Sequence, residues 1–307
     1  MLPESPALAG SIIGSMALRE SRAPFSAIVD RSPLHLPGGK RVAVWLILNV
    51  ETWPIDQPMA RTVLPAPQGA QVLPDIPNYS WFEYGLRIGF WRIKEVLDRH
   101  GLMATVNLNG AMCEEYPRVV QAMVDAGWEI IGHGYHQRVL NLEPDERAVI
   151  RQTKQAIERF SGRPMRGWMG PGLHETWDTP DLLAEEGIEY CTDWVNDDQP
   201  YLMNVKSGQL ISVPYTVELN DIPIYLIQHH RAPELMERAQ WQYETLRREG
   251  EHSARVMAVS VHPYITGVPH RIGFFDQLLG WLKQQPDAAF FMGGEIADWY
   301  KTEAKLG

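Results

Sequence analysis

Val42-Ala43-Val44-Trp45-Leu46-Ile47-Leu48-Asn49-Val50-Glu51 is a nearly unbroken apolar run that ends on an amide and a carboxylate. It does not alternate between apolar and polar, so it reads as a strand buried on both faces rather than one side of an exposed sheet. Strands of that kind belong to parallel sheets covered by helices. The rest of the chain is consistent with this. Further strands are expected at 103–108, 129–131, 188–191, 256–261 and 288–292. Between them the apolar spacing predicts helices at 81–99, 116–126, 144–160, from 179 to the stop at Gly187, at 241–249 in a helix opening near Pro233, at 274–284 and at 295–300. Phe82, Leu86, Phe90, Ile93 and Leu97 mark the buried side of the first helix.

Repeated alternation of strand and helix over 307 residues, without an internal repeat, points to one α/β domain, and the length favours a barrel over an open sheet. The barrel is assigned to residues 39–307. Residues 1–38 are rich in Pro, Ser and Gly and are expected to form an arm that either wanders or packs on a neighbouring subunit. Residues 54–78 hold prolines at 54, 58, 65, 67, 74 and 77 and read as a long loop, a feature that is often functional inside a compact domain.

Composition narrows the function classes. Hydrophobic residues make up 45% and charged residues 21%, enough apolar material for a large core. The formal net charge of −10 disfavours a nucleic-acid binder, which needs a basic face. Two cysteines, Cys113 and Cys191, make neither a disulfide framework nor a CxxC pair. The first residues lack a basic stretch followed by an unbroken apolar one, and no run reaches the ~18–20 apolar residues of a membrane span. A cytoplasmic protein without membrane or nucleic-acid partners is expected.

Polar residues gather where the strands end. Asn49 and Glu51 follow the first, Asn107 and Asn109 the second, His133 and His136 the third; Asp193 and His262 follow later ones. Singly, each is explained by loop backbone groups that need partners. Together they mark the C-terminal face of a parallel barrel, where active sites are built.

The order of these residues resembles the polysaccharide deacetylase superfamily, and within it the metal-independent allantoinases and cyclic imide hydrolases. The resemblance spans roughly residues 40–302. It rests on Asn49-Val50-Glu51-Thr52-Trp53, on Gly132-His133-Gly134-Tyr135-His136 and on Gly167-Trp168-Met169-Gly170-Pro171-Gly172. Two later segments complete it: one from Asp193 to Tyr201 and one from Val261 to Arg271. It implies a distorted (β/α) barrel that hydrolyses C–N bonds.

Superfamily deacetylases pair two aspartates, a base and a metal ligand, where this chain has Asn49 and Glu51. Their two histidine ligands stand four apart, matching His133 and Gln137, with His136 one residue early. An arginine that braces their base corresponds to Met169. The resemblance therefore implies Glu51 as base, its pKa raised by burial toward working pH. His133 would position water, and His262 would protonate the leaving nitrogen. Asn49, Trp53, His136, Trp194, Asp197, Asp198 and Arg271 are expected to bind substrate. Of the adjacent Asp197 and Asp198, one is expected to bond backbone N–H groups or an amide substrate.

No cofactor is favoured. Zinc or another divalent ion would fall to Glu51 and His133 with His136 or Gln137, although an amide oxygen is a poor zinc ligand. The expected activity is ring opening of a small cyclic amide, imide or ureide. The alternatives are a zinc-dependent deacetylase of amino sugars or polysaccharide, and an inactive ligand-binding barrel. The expected partners are a small-molecule substrate and further copies of the chain, as a dimer or tetramer.

Overall fold

The computed structural model describes residues 22–70 and 72–306. Nine strands form one sheet: β1 Val42–Val50, β2 Thr105–Leu108, β3 Glu129–Gly132, β4 Gly167–Trp168, β5 Tyr190–Cys191, β6 Tyr201–Leu202, β7 Ile211–Ser212, β8 Arg255–Val261 and β9 Ala288–Phe291. The order is β6-β7-β5-β4-β3-β2-β1-β8, with β9 beside the first residues of β1, and every pairing is parallel except β6 with β7. The sheet curls into a half-barrel, the distorted (β/α) barrel that the alternation of elements implies.

All nine residues of β1 are buried. It is flanked by β8 along most of its length, by β9 at its start and by β2 at its end. Its β-branched and aromatic side chains suit a position covered on both faces. The register places Asn49 opposite Asn107. The seven buried residues of β8 end one position before His262.

The longer helices cover the sheet: α1 Ile76–Tyr84, α2 Phe90–His100, α3 Pro117–Asp125, α4 Glu146–Ser161, α5 Thr179–Glu185, α6 Glu234–Glu249, α7 Ile272–Lys283 and α8 Gly293–Glu303. The first pair is one rod joined by a π turn, Gly85–Gly89. Phe82, Leu86, Phe90, Ile93 and Leu97 all face the core, as their spacing predicts. The rod starts five residues earlier than that spacing indicates, which ends the proline-rich loop at Asp75. The Asp75 side chain accepts from the Asn78 N–H, and Pro77 sits in the first turn, where its missing N–H costs nothing. Strands β6 and β7 were not expected; two residues each leave no periodicity to read.

Residues 1–21 of the expected arm lie outside the described residues. Residues 22–38 pack on their own barrel. The buried Arg22 guanidinium forks onto Asp181 at 2.9 and 2.6 Å, Leu36 is buried against the sheet, and the Leu34 carbonyl accepts from the Ala254 N–H at 2.8 Å.

The π turn abuts the loop that carries His262. A Cβ on Gly89 would lie 2.0 Å from the Pro263 carbonyl oxygen, and one on Gly85 would lie 2.7 Å from the Tyr264 nitrogen. Only glycine lets the rod approach this closely. Gly89→Ala is therefore expected to destabilise the fold by about 1–3 kcal/mol. The measurement is a urea unfolding curve, with the midpoint lowered and the slope unchanged.

Candidate active site

The C-terminal ends of β1, β3, β4 and β8 surround a cavity of about 490 Å³. Asn49, Glu51, His133, Gln137, Met169 and His262 line its floor. Trp53, Phe82, Leu173, Ile222 and Tyr264 supply apolar walls, and Ala60 and Arg61 close one side from the proline-rich loop. The volume and the apolar lining suit a small ligand.

Glu51 stands between two imidazoles. Its Oε1 is 3.4 Å from His133 Nε2 and 3.7 Å from His262 Nε2. Gln137 Nε2 donates to the same oxygen at 2.9 Å and lies 3.0 Å from His133 Nε2. The amide orientation follows from the backbone. The Thr52 N–H can only donate, and it meets Asn109 Oδ1 at 2.9 Å. Asn109 Nδ2 must then face outward, donating to the His133 carbonyl and to Gln137 Oε1, the latter at 3.1 Å. This leaves Gln137 Nε2 toward Glu51 and His133. His133 Nδ1 donates to the Met169 carbonyl at 2.8 Å, so its Nε2 accepts the second Gln137 hydrogen. His133 is thus held as the Nδ1–H tautomer.

His262 has a different partner. Its Nδ1 lies 2.6 Å from Asp221 Oδ1, while Asp221 Oδ2 accepts from the His262 backbone N–H and the Thr266 hydroxyl, each at 2.7 Å. Burial opposes a charged ring here, but the Asp221 carboxylate and Glu51 outweigh it and raise the His262 pKa. For Glu51, burial pushes the carboxyl up, and the neighbouring imidazoles of His133 and His262 together with the Arg61 guanidinium bring it below its usual value. This reverses the raised pKa expected from burial alone. The two shifts favour an ionised Glu51 facing a protonated His262, and Glu51 Oε2 is free of hydrogen bonds among the described residues.

Asn49 reaches the floor, but its amide is engaged by Asn107 Nδ2 at 2.6 Å, the Ser260 hydroxyl at 2.8 Å and the Val261 carbonyl at 3.2 Å. Trp53 lines the wall, tilted against Phe82 with centroids 5.1 Å apart.

Five expected substrate contacts lie outside the cavity. His136 turns outward, 42% exposed, edge-on to Tyr135 and 3.8 Å from Glu115, because Gly134 takes a positive φ of 71° just before it. Trp194 donates to Glu175 Oε1 at 2.8 Å and lies outside the cavity. Asp197 forks onto Arg31 at 2.8 and 2.7 Å and accepts from the N–H groups of Asp198 and Gln199, leaving both carboxylates on another surface. Arg271 stacks on Tyr225 at 4.5 Å and donates to the Ile265 carbonyl, bracing the turn after His262.

The residues do not fit a bound metal. The donors it would need, Glu51 Oε1 and His133 Nε2, both receive hydrogens from Gln137, and His136 faces away. Among the described residues no group of three His, Cys, Asp or Glu side chains is arranged to hold an ion.

Asp221 and Arg61 were missed in the sequence. Asp221 is a lone acid beside an apolar stretch and Arg61 one cation in a loop, so neither stands out by spacing. Glu175, the partner of the strand-end Asp193 in a buried carboxyl pair, was missed too. Glu175 Oε2 and Asp193 Oδ2 are buried without partners behind the 169–175 loop, although Asp193 Oδ1 accepts from the Gly170 N–H at 2.8 Å. Burial, offset in part by the Trp194 donor and reinforced by Glu146, pushes Glu175 up to about 7.

Comparison with known proteins places this geometry. The polysaccharide deacetylase family model matches residues 74–191. A candidate polysaccharide deacetylase of Schizosaccharomyces pombe is 28% identical over 286 residues, covering 82% of this chain and 87% of that protein. Among solved structures, a probable polysaccharide deacetylase of Pseudomonas aeruginosa superposes with a TM-score of 0.80 at 22% identity, over 91% of this chain and 97% of that one. PuuE allantoinase gives 0.78 at 23%, over 90% and 96%. At these identities the two structures speak to the fold. The superfamily read from the five motifs is borne out.

Because Glu175 titrates higher in the fold than its ordinary 4.5, ionising it destabilises the native state progressively as pH rises from about 4.5 through about 7. Glu175→Gln keeps an acceptor for Trp194 and removes that cost. The variant is expected to melt several degrees above the parent at pH 8 and level with it at pH 4.5, by thermal unfolding, at ~2–4 °C per kcal/mol. Parallel curves at the two pH values would contradict the assignment.

Proposed function

We propose that this protein, which belongs to the polysaccharide deacetylase superfamily, opens the ring of a small cyclic amide, imide or ureide by hydrolysing its C–N bond. The observation that carries the reading is the Gln137 amide. It occupies the place of a metal-binding histidine and binds Glu51 and His133 at once.

Glu51 takes a proton from water at Oε2 while Gln137 holds Oε1, and the water oxygen attacks the ring carbonyl. As the C–N bond breaks, His262 Nε2–H protonates the departing nitrogen, with Asp221 stabilising the charged ring beforehand. The product is an open-chain acid with its nitrogen still tethered, an amido or carbamoyl acid from an imide or ureide. His133 keeps the Gln137 amide in place rather than exchanging protons. The apolar-walled cavity suits a compact flat ring.

Glu51→Gln and His262→Ala are each expected to lower turnover of the ring by roughly 10²-fold or more with little change in melting temperature. Near-normal turnover in either variant sinks the reading. Glu51 titrates below its usual value and His262 above its own, so the rate is expected to fall as pH rises through the His262 pKa, which lies above the usual imidazole value. Asp221→Asn is expected to move that falling limb to lower pH. Dialysis against a chelator is expected to leave activity intact; zinc and activity lost together would favour a zinc-dependent amino-sugar deacetylase instead.

A further inference from the structure

Attack on a carbonyl places negative charge on its oxygen, and in this cavity no metal ligand set is arranged to receive it. Arg61 is the single lysine or arginine among the lining residues. Among the described residues its guanidinium makes no hydrogen bond or ion pair, whereas the other cations near the site are engaged, His262 by Asp221 and Arg271 by Ile265 and Tyr225. It lines the same cavity as Glu51, His262 and Tyr264.

The loop that carries Arg61 is tied down. The buried Asn78, in the first turn of α1, accepts from the N–H groups of Val63 and Leu64 at 2.9 and 3.1 Å and donates to the Leu64 carbonyl at 3.1 Å. Asp75 orients that amide through both carboxylate oxygens, at 3.0 and 2.8 Å. An unpaired guanidinium on a loop clasped two residues later, lining an apolar-walled cavity, is available to an anionic oxygen.

We propose that Arg61 binds the oxygen of the attacked carbonyl, and that the site holds small ω-amido carboxylates through the same contact. This rests on C–N ring opening as the reaction. The carbonyl oxygen takes the electron pair when water adds. When the C–N bond breaks and the nitrogen is protonated, that oxygen becomes part of the new carboxylate. Arg61 thus meets the oxyanion and then the product.

The experiment uses the full chain, its Arg61→Ala and Arg61→Lys variants, and two probes read separately. Calorimetric titration with succinamate and N-carbamoylglycinate, which need no turnover, is expected to show binding that weakens at least 10-fold in Arg61→Ala, less in Arg61→Lys, and with added salt. Turnover of succinimide and hydantoin is expected to fall by roughly 10²-fold or more in Arg61→Ala, mainly in kcat, and to recover in part with added guanidinium ion. A structural role alone would not give that rescue. Equal affinity of parent and Arg61→Ala for the amido carboxylates, or no binding by the parent, overturns the inference whatever the turnover. Ring opening unchanged in Arg61→Ala overturns it while leaving the proposed reaction standing. Arg61-dependent carboxylate binding without ring opening supports the anion site and removes the proposed reaction.

Discussion

The chemistry of this site depends on the direction of one chain of amide hydrogen bonds. A backbone N–H cannot accept, so the bond from Thr52 to Asn109 Oδ1 fixes which end of Asn109 faces Gln137, and through it which end of Gln137 faces Glu51 and His133. Reversing any member would set donor against donor in a buried space, at a cost of about 1–3 kcal/mol for each unmet group. Glu51 is consequently presented with one oxygen bound and one open. In a chain of this kind the side-chain amides transmit the orientation of the backbone to the carboxylate, and the pairing of strands sets the backbone.

That pairing also explains why the floor is so rigid. Asn49 and Asn107 are opposed in the register of β1 with β2, and β8 on the other side brings Ser260 and His262 level with them. The Asn49 amide bridges both neighbours, so three strand ends are fixed relative to one another by a single side chain. The rod that contains α1 and α2 presses its glycines on the Pro263 loop, which fixes His262 from the outside. The cavity is thereby set by contacts that do not touch a ligand.

Much of this was legible in the sequence. The unbroken run of β1 gave its double burial, the spacing of Phe82 to Leu97 gave the buried face of the rod, and polar residues at strand ends gave the floor: Asn49, Glu51, His133 and His262 all line it. What the sequence hid was direction. His136 and His133 are equally good ligands as letters, and only the left-handed backbone at Gly134 turns one of them away. Asp197, Asp198, Trp194 and Arg271 stand in motifs but find partners among Arg31, backbone N–H groups, Glu175 and Tyr225. Asp221 and Arg61 come from connecting segments, which carry no periodicity to announce them. The sign of the Glu51 shift was hidden for the same reason, since burial is visible in an apolar run and the countercharge is not.

Charge accounting ties the substitutions together. The deacetylase site that the motifs resemble has two carboxylates and two neutral imidazoles around a divalent cation, so its charges sum to zero. Replacing one aspartate by Asn49 leaves a single carboxylate, Glu51, and replacing a histidine by Gln137 fills the cation's place with two N–H donors that carry no net charge. With His262 and Asp221 a balanced pair, the remaining negative charge is met by one cation, Arg61, held on the far wall. Removing the aspartate while keeping the cation, or the cation while keeping both carboxylates, would leave an unbalanced charge in the site, which costs several kcal/mol where it is buried. In the proposed reaction Asn49, Gln137 and Arg61 act as one arrangement, in which a positive side chain would supply the electrostatic part of a metal ion's work and Glu51 the proton-transfer part.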